Sequence, residues 1–131
     1  MDTAKQKLVR DALAASNEGR IHFGEVVMRM VEAGVESYVI DYRGHNATYY
    51  FENDETLMVE MAATPVAIGM DFDAAEIQQA IRGAQRGEVM YPEFKRRSMQ
   101  AGCVGYTAWI SGRQVAYYGR KGETHVERFP D

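Results

Sequence analysis

Two stretches decide the fold: Ala33-Gly34-Val35-Glu36-Ser37-Tyr38-Val39-Ile40 and Ala101-Gly102-Cys103-Val104-Gly105-Tyr106-Thr107-Ala108. In each, apolar residues at helical spacing stop at the glycine, and a strand-like alternation starts after it. A glycine there caps a helix, because it adopts the left-handed backbone at little steric cost. The two stretches are 68 residues apart, and the match continues outward on both sides. Residues 8–58 align with residues 76–126 without a gap, with eleven of 51 positions identical. Composition alone would give roughly three. The chain is therefore read as a tandem duplication of a helix, helix, three-strand unit. The expected fold class is α+β, with antiparallel meanders packed with four helices in one compact domain over residues 1–131, and residues 62–72 serve as the linker.

Within each copy the spacing assigns faces. Val9, Ala12, Leu13 and Ser16 in the first helix correspond to Ile77, Ala80, Ile81 and Ala84 in the third. Asp73 followed by Glu76 supplies a capping start for that third helix. Phe23, Val26, Val27, Met30 and Val31 form an apolar stripe on the second helix. On the fourth, Lys95 and Ser98 replace Val27 and Met30, which predicts that the fourth helix is the more exposed. Strands are expected near 35–42, 47–52 and 56–61, and near 103–110, 114–119 and 123–128. Arg43-Gly44-His45-Asn46 and Ser111-Gly112-Arg113-Gln114 are the matching hairpin turns, with positive φ expected at the glycines. Residues 62–69, Ala-Ala-Thr-Pro-Val-Ala-Ile-Gly, are apolar enough to suggest a further short edge strand.

Alternation along the strands places Tyr38, Ile40 and Tyr42 with Tyr106, Ala108 and Ile110 on one face, and Val39 and Asp41 with Thr107 and Trp109 on the other. By the same rule Tyr49 and Tyr117 point to the core, and Tyr50 and Tyr118 point away from it. Trp109, Tyr118 and Tyr50, with Asp41 and Arg113 at the rim, are the expected partner or ligand surface.

The segments Ala33-Gly34-Val35-Glu36-Ser37-Tyr38, Glu76-Ile77-Gln78-Gln79-Ala80-Ile81 and Ala116-Tyr117-Tyr118-Gly119-Arg120-Lys121-Gly122-Glu123 resemble the YbcV-like and YdfO-like family of small bacterial and prophage-borne proteins. Members of it are sometimes labelled phage envelope proteins. The resemblance spans nearly the whole chain and rests on turns and apolar positions. It supports the fold, and it brings no activity, cofactor or catalytic residue to carry over.

Motifs that carry chemistry are sparse. Cys103 is the single cysteine; its counterpart is Val35, which points to a small buried residue opening a strand. His22, His45 and His125 lack metal-ligand spacing. Glu25 and Glu93 fall in first helical turns, where a carboxylate complements the macrodipole. No catalytic residue, metal site or cofactor is assigned. The N-terminal residues have no signal-peptide pattern and no apolar run is of membrane-spanning length, so a cytoplasmic setting without a membrane is expected. Asn46-Ala47-Thr48 is then a chance glycosylation sequon.

Charge separates the copies. Residues 8–58 hold four Lys/Arg and nine Asp/Glu, a balance of −5, whereas residues 76–126 hold eight and four, a balance of +4. Arg82, Arg86, Lys95, Arg96 and Arg97 concentrate that charge into a basic patch on the third and fourth helices. The chain's overall −4 argues against a protein devoted to nucleic acid. Contact of those helices with an anion or nucleic acid is therefore the least favoured reading. Attraction between the copies or a solvated face explains the charge more simply. Two broader functions stand ahead of it. One is a non-enzymatic domain binding a protein or small ligand, with a homodimer as one form of partner. The other is a small enzyme with its site in the cleft between the copies. A flat aromatic sheet face favours the first. An inter-copy pocket with converging His, Tyr and carboxylate favours the second.

Overall fold

The computed structural model describes residues 2–130. The chain runs α1 (Thr3–Asn17), α2 (Phe23–Ala33), β1 (Val35–Asp41), β2 (Asn46–Phe51), β3 (Thr56–Glu60), then α3 (Ala74–Gln85), α4 (Tyr91–Gln100), β4 (Cys103–Trp109), β5 (Gln114–Gly119) and β6 (Thr124–Arg128). The same order of elements thus occurs twice, giving an α+β fold with four helices and one six-stranded antiparallel sheet. The sheet order is β3-β2-β1-β4-β5-β6.

The two meanders repeat down to their irregularities. Val35 pairs with Phe51 and Ser37 with Tyr50, with a bulge between; Cys103 pairs with Gly119 and Gly105 with Tyr118, with a bulge at the same place. Each bulge lies just beyond the glycine that ends a helix, where the chain turns into the sheet. Gly34 and Gly102 have φ of 79° and 88°, as the helix-to-strand change requires.

The repeats join along β1 and β4, which pair antiparallel with Val39 opposite Thr107. Those two residues are also equivalent under the 68-residue offset, so a pseudo-two-fold axis passes through their pair. All four helices pack on one face, where Tyr38, Ile40, Tyr49, Tyr106, Ala108 and Tyr117 meet Val9, Ala12, Met30, Ile77, Ala80 and Phe94 in one core. α1 packs on α4 across the axis, and the equivalent approach of α3 to α2 is looser. That difference shapes the site described below.

Three expectations are corrected. α4 is not the more exposed helix: Phe94, Lys95, Ser98 and Met99 are buried, while Phe23 and Val31 of α2 are 38% and 63% exposed. Ser98 reaches the buried Tyr42 hydroxyl at 3.0 Å and its own Lys95 carbonyl at 3.0 Å, so a polar residue is accommodated inside. Lys95 lays its stem along the core and places its ammonium 5.7 Å from the Tyr42 ring centroid. In the hairpins the left-handed residue is the one after the glycine, His45 at 57° and Arg113 at 55°. Gly44 is required for space instead, since a Cβ there would lie 2.6 Å from the Asp41 carboxylate. Finally, residues 62–69 form no strand. Gly69 N–H donates to Met99 O at the end of α4, and Arg120 donates to the carbonyls of Ile68 and Gly69. These bonds use the segment to tie the repeats together, leaving the sheet edge at β3.

Candidate functional site

The helix-free face of the sheet carries the residues expected to form a surface, and it arranges them in rows. Ser37 pairs with Tyr50 on one side and Trp109 on the other. Tyr50 and Trp109, 40% and 43% exposed, therefore flank a buried serine in one row. The row related to it by the pseudo-dyad is Tyr118, Gly105 and Asp41. Tyr118 bends over its neighbour and donates to Thr107 Oγ1 at 3.0 Å. Asp41 is engaged locally: its carboxylate accepts from Arg43 N–H and Gly44 N–H at 3.0 and 2.9 Å, fixing the hairpin turn. Arg113 leaves this face altogether. Its guanidinium donates to Pro130 O at 3.2 Å and lies over the Phe129 ring, on the helix side.

The basic patch is also dispersed. Arg82 is ion-paired with Glu127, Arg86 with Glu88 at 3.1 Å, and Arg96 with Glu93 at 3.5 Å. Arg97 lies near Gly83 on α3. Lys95 is buried, and that burial lowers its ammonium below the ordinary lysine value.

A concavity lies between the repeats, where α3 and α2 stand apart. It measures about 630 Å³, within the range of small-molecule sites. Its floor is aromatic: Tyr38 and Tyr106 from the two central strands, Tyr117 from β5, and Tyr91 and Phe94 from α4. Phe94 and Tyr117 have centroids 5.9 Å apart, and Tyr106 and Tyr117 are 5.4 Å apart. The mouth is formed by Phe23, packed edge-on against Phe129 at 5.5 Å, with His22, Arg86, Arg113, Glu127 and Arg128 around it.

Burial determines the chemistry of the floor. The Tyr91 hydroxyl is pushed up to about 12, and desolvation raises those of Tyr38, Tyr106 and Tyr117 well above the usual phenol value. At neutral pH these groups are un-ionised hydrogen-bonding phenols. Glu127, the one lining carboxylate among the described residues, faces Arg82 and sits 3.7 Å from His125 Nε2. Cys103 is fully buried outside the cavity, donates to Gly105 O at 3.2 Å, and its thiol is pushed up to about 11. Among the described residues no three His, Cys, Asp or Glu side chains converge as a metal site would require.

Sequence reasoning named a cleft between the copies but not the aromatic residues that floor it, because they read as ordinary core. The signal lay in the repeat alignment: Phe23 corresponds to Tyr91, and the two differ by one hydroxyl. No curated protein matches the chain. A family described as "Protein of unknown function (DUF1398)" matches residues 45–127, from the first hairpin to the last strand. That match covers well over half of the 131 residues, and the chain belongs to the DUF1398 family.

Proposed function

We propose that this protein is a non-enzymatic binder of small organic molecules, which it holds in the cavity between its repeats. The single observation that carries the reading is that cavity: about 630 Å³, floored by aromatic rings and bordered by Arg86, Arg113 and Arg128. Such a site favours a ring or chain with an acidic end, because Glu127, the only lining carboxylate among the described residues, is already ion-paired with Arg82. The cavity does bring His, Tyr and carboxylate together, the combination that would favour an enzyme. Binding is preferred because the buried tyrosines are held un-ionised at neutral pH and the lining carboxylate is engaged in an ion pair with Arg82.

The test is fluorine NMR of a panel of fluorinated aryl and aliphatic acids with the full chain, repeated with Ala84→Phe, which places a ring into the cavity wall. Binding that A84F removes, with the melting temperature retained, is the expected result. Failure of every acid to bind, or binding untouched by A84F, overturns the reading.

The open sheet face supports a second reading, as a surface for a protein partner or a second copy. Tyr50, Met58, Trp109 and Val126 are 40%, 54%, 43% and 49% exposed there. Contact of the α3 and α4 arginines with nucleic acid draws less support, because several are already paired. The resemblance to YbcV-like and YdfO-like proteins supports a bacterial, prophage-related origin and a cytoplasmic setting. No helix among the described residues is long and apolar enough to cross a membrane.

A further inference from the structure

The cavity has a closed twin. A small space of about 20 Å³ lies across the pseudo-dyad, where α1 approaches α4. Shifting its ten lining residues by 68 positions reproduces seven that line the large cavity, among them Phe23, Tyr38, Ile81, Phe94 and Tyr117. The two spaces are therefore one site in two copies, filled on one side and open on the other.

Tyr91 is what fills the closed copy. Its ring reaches in from the start of α4, and its hydroxyl accepts from the Tyr106 hydroxyl at 3.0 Å. Phe23 is the equivalent residue at the start of α2. Lacking a hydroxyl, it would gain no bond by turning inward, and it rests outside on Phe129. Tyr38, the equivalent of Tyr106, is consequently left without a partner. It is only 4% exposed and lines the open cavity, and its hydroxyl makes no hydrogen bond among the described residues. That hydroxyl opens into the cavity, where a ligand can supply the bond that Tyr91 gives Tyr106 in the closed copy.

We propose that the open cavity recognises hydroxyaryl acids: the phenol ring takes the place that Tyr91 holds in the closed copy, its hydroxyl bonds to Tyr38, and its carboxylate lies toward Arg113 at the mouth. This rests on the small-molecule reading above and names its ligand class. The chain carries its own template for the ligand, in the form of a tyrosine side chain bound to a tyrosine hydroxyl on a matching floor. Tyr38 and Tyr106 are 6.4 Å apart between ring centroids, so both copies of the floor belong to one packed aromatic cluster.

Calorimetric titration of the full chain with 4-hydroxyphenylacetate, phenylacetate and tyramine tests this. The hydroxylated acid should bind about three- to ten-fold more tightly than phenylacetate, the range expected of one net hydrogen bond. Tyr38→Phe should erase that difference while phenylacetate binding persists. Tyramine, with the same ring and the opposite charge, should bind more weakly than 4-hydroxyphenylacetate. Phe23→Tyr should plug the cavity from within, raising the melting temperature and abolishing binding of both acids. Equal affinity for the two acids, or a preference that survives Y38F, overturns phenol recognition. Tyramine binding as tightly as the acid removes the acidic specificity. Unchanged binding in F23Y overturns the plug. If neither aryl acid binds while aliphatic acids bind in an A84F-sensitive manner, this proposal fails and the small-molecule reading survives; if no acid binds, both fail.

Discussion

Val39 and Thr107 face each other across the β1–β4 seam and are also the same position in the two repeats. One pair thus marks the local axis that relates the copies, and comparison across it separates what the fold requires from what one side has changed. Most positions that agree set turns and core. Positions that differ, such as Phe23 and Tyr91 or Gly34 and Gly102 in their surroundings, make internal controls for experiments on a single chain.

The two capping glycines illustrate this. Both have positive φ, but a Cβ on Gly34 would meet only the Lys5 ammonium at 3.6 Å, whereas one on Gly102 would lie 2.2 Å from the Asp71 carbonyl oxygen. Gly34→Ala should cost about 1–2 kcal/mol for the left-handed backbone alone. Gly102→Ala should cost about 3–5 kcal/mol, because overpacking adds to it. Urea denaturation of both variants checks the order; equal losses would refute it.

Alkaline pH should unfold the protein cooperatively. Burial raises the hydroxyls of Tyr38, Tyr42, Tyr49, Tyr91, Tyr106 and Tyr117 above the ordinary value. The unfolded chain therefore releases these protons first, near pH 10, so their contribution is full below that pH and is lost above it. Each supplies a slope of up to about 1.4 kcal/mol per pH unit, enough for six to exhaust an ordinary folding margin within about two units above pH 10. Tyrosinate absorbance from these residues should rise together with loss of circular dichroism. Their ionisation in a chain still folded would contradict it.

Lys95 offers a stabilising substitution. Its counterpart is Val27, its stem is buried, and its lowered ammonium has no carboxylate partner among the described residues. Lys95→Met should raise stability by roughly 1 kcal/mol near neutral pH. Because the folded value lies below the unfolded one, the cost of burying the charge is fully present at low pH and is relieved as pH rises toward about 10.4. The advantage of K95M over wild type should shrink over that rise, as read by urea midpoints. A constant or growing gap would argue against burial of the charge as its cause.

Much of the fold was legible because backbone geometry leaves direct marks. Gly34 and Gly102 change the period from helix to strand, and Tyr49-Tyr50 and Tyr117-Tyr118 must alternate in and out. The face expected to carry Trp109 and Tyr50 does carry them. The rest depended on tertiary contacts that no local spacing encodes. Lys95 and Ser98 look exposed until Tyr42 receives them, and Asp41 and Arg113 look available until the hairpin and Phe129 occupy them. A cleft between the copies was expected, but its lining was hidden because it is defined by a ring pointing outward, and Phe23 reads the same in either pose.

Trp109 is the only tryptophan and is 43% exposed. Its emission should be red-shifted and quenched by acrylamide in dilute solution. If the open face joins a second copy, raising the concentration should shift the emission blue and lower quenching in step with dimer mass by sedimentation. Exposure that persists in a proven dimer would place the contact elsewhere.

Neither repeat should fold alone. A fragment of residues 70–131 loses β1, the strand against which β4 pairs, and the helices across the axis. A unit of about 60 residues without a disulfide is marginal even with its core intact. A monomeric fragment that unfolds cooperatively would disprove this and with it the dependence of each half on the other.

Joining the copies in one chain changes what the axis permits. Two identical subunits around a true dyad share one gene, so any substitution appears on both sides and both sites must be plugged or both left open. A covalently linked pair is free of that constraint. One half can spend its tyrosine as a permanent resident while the other keeps an empty berth of the same shape. Because Tyr91 also floors the open side, the two halves are coupled through one ring, an asymmetry closed to any homodimer built from the single unit.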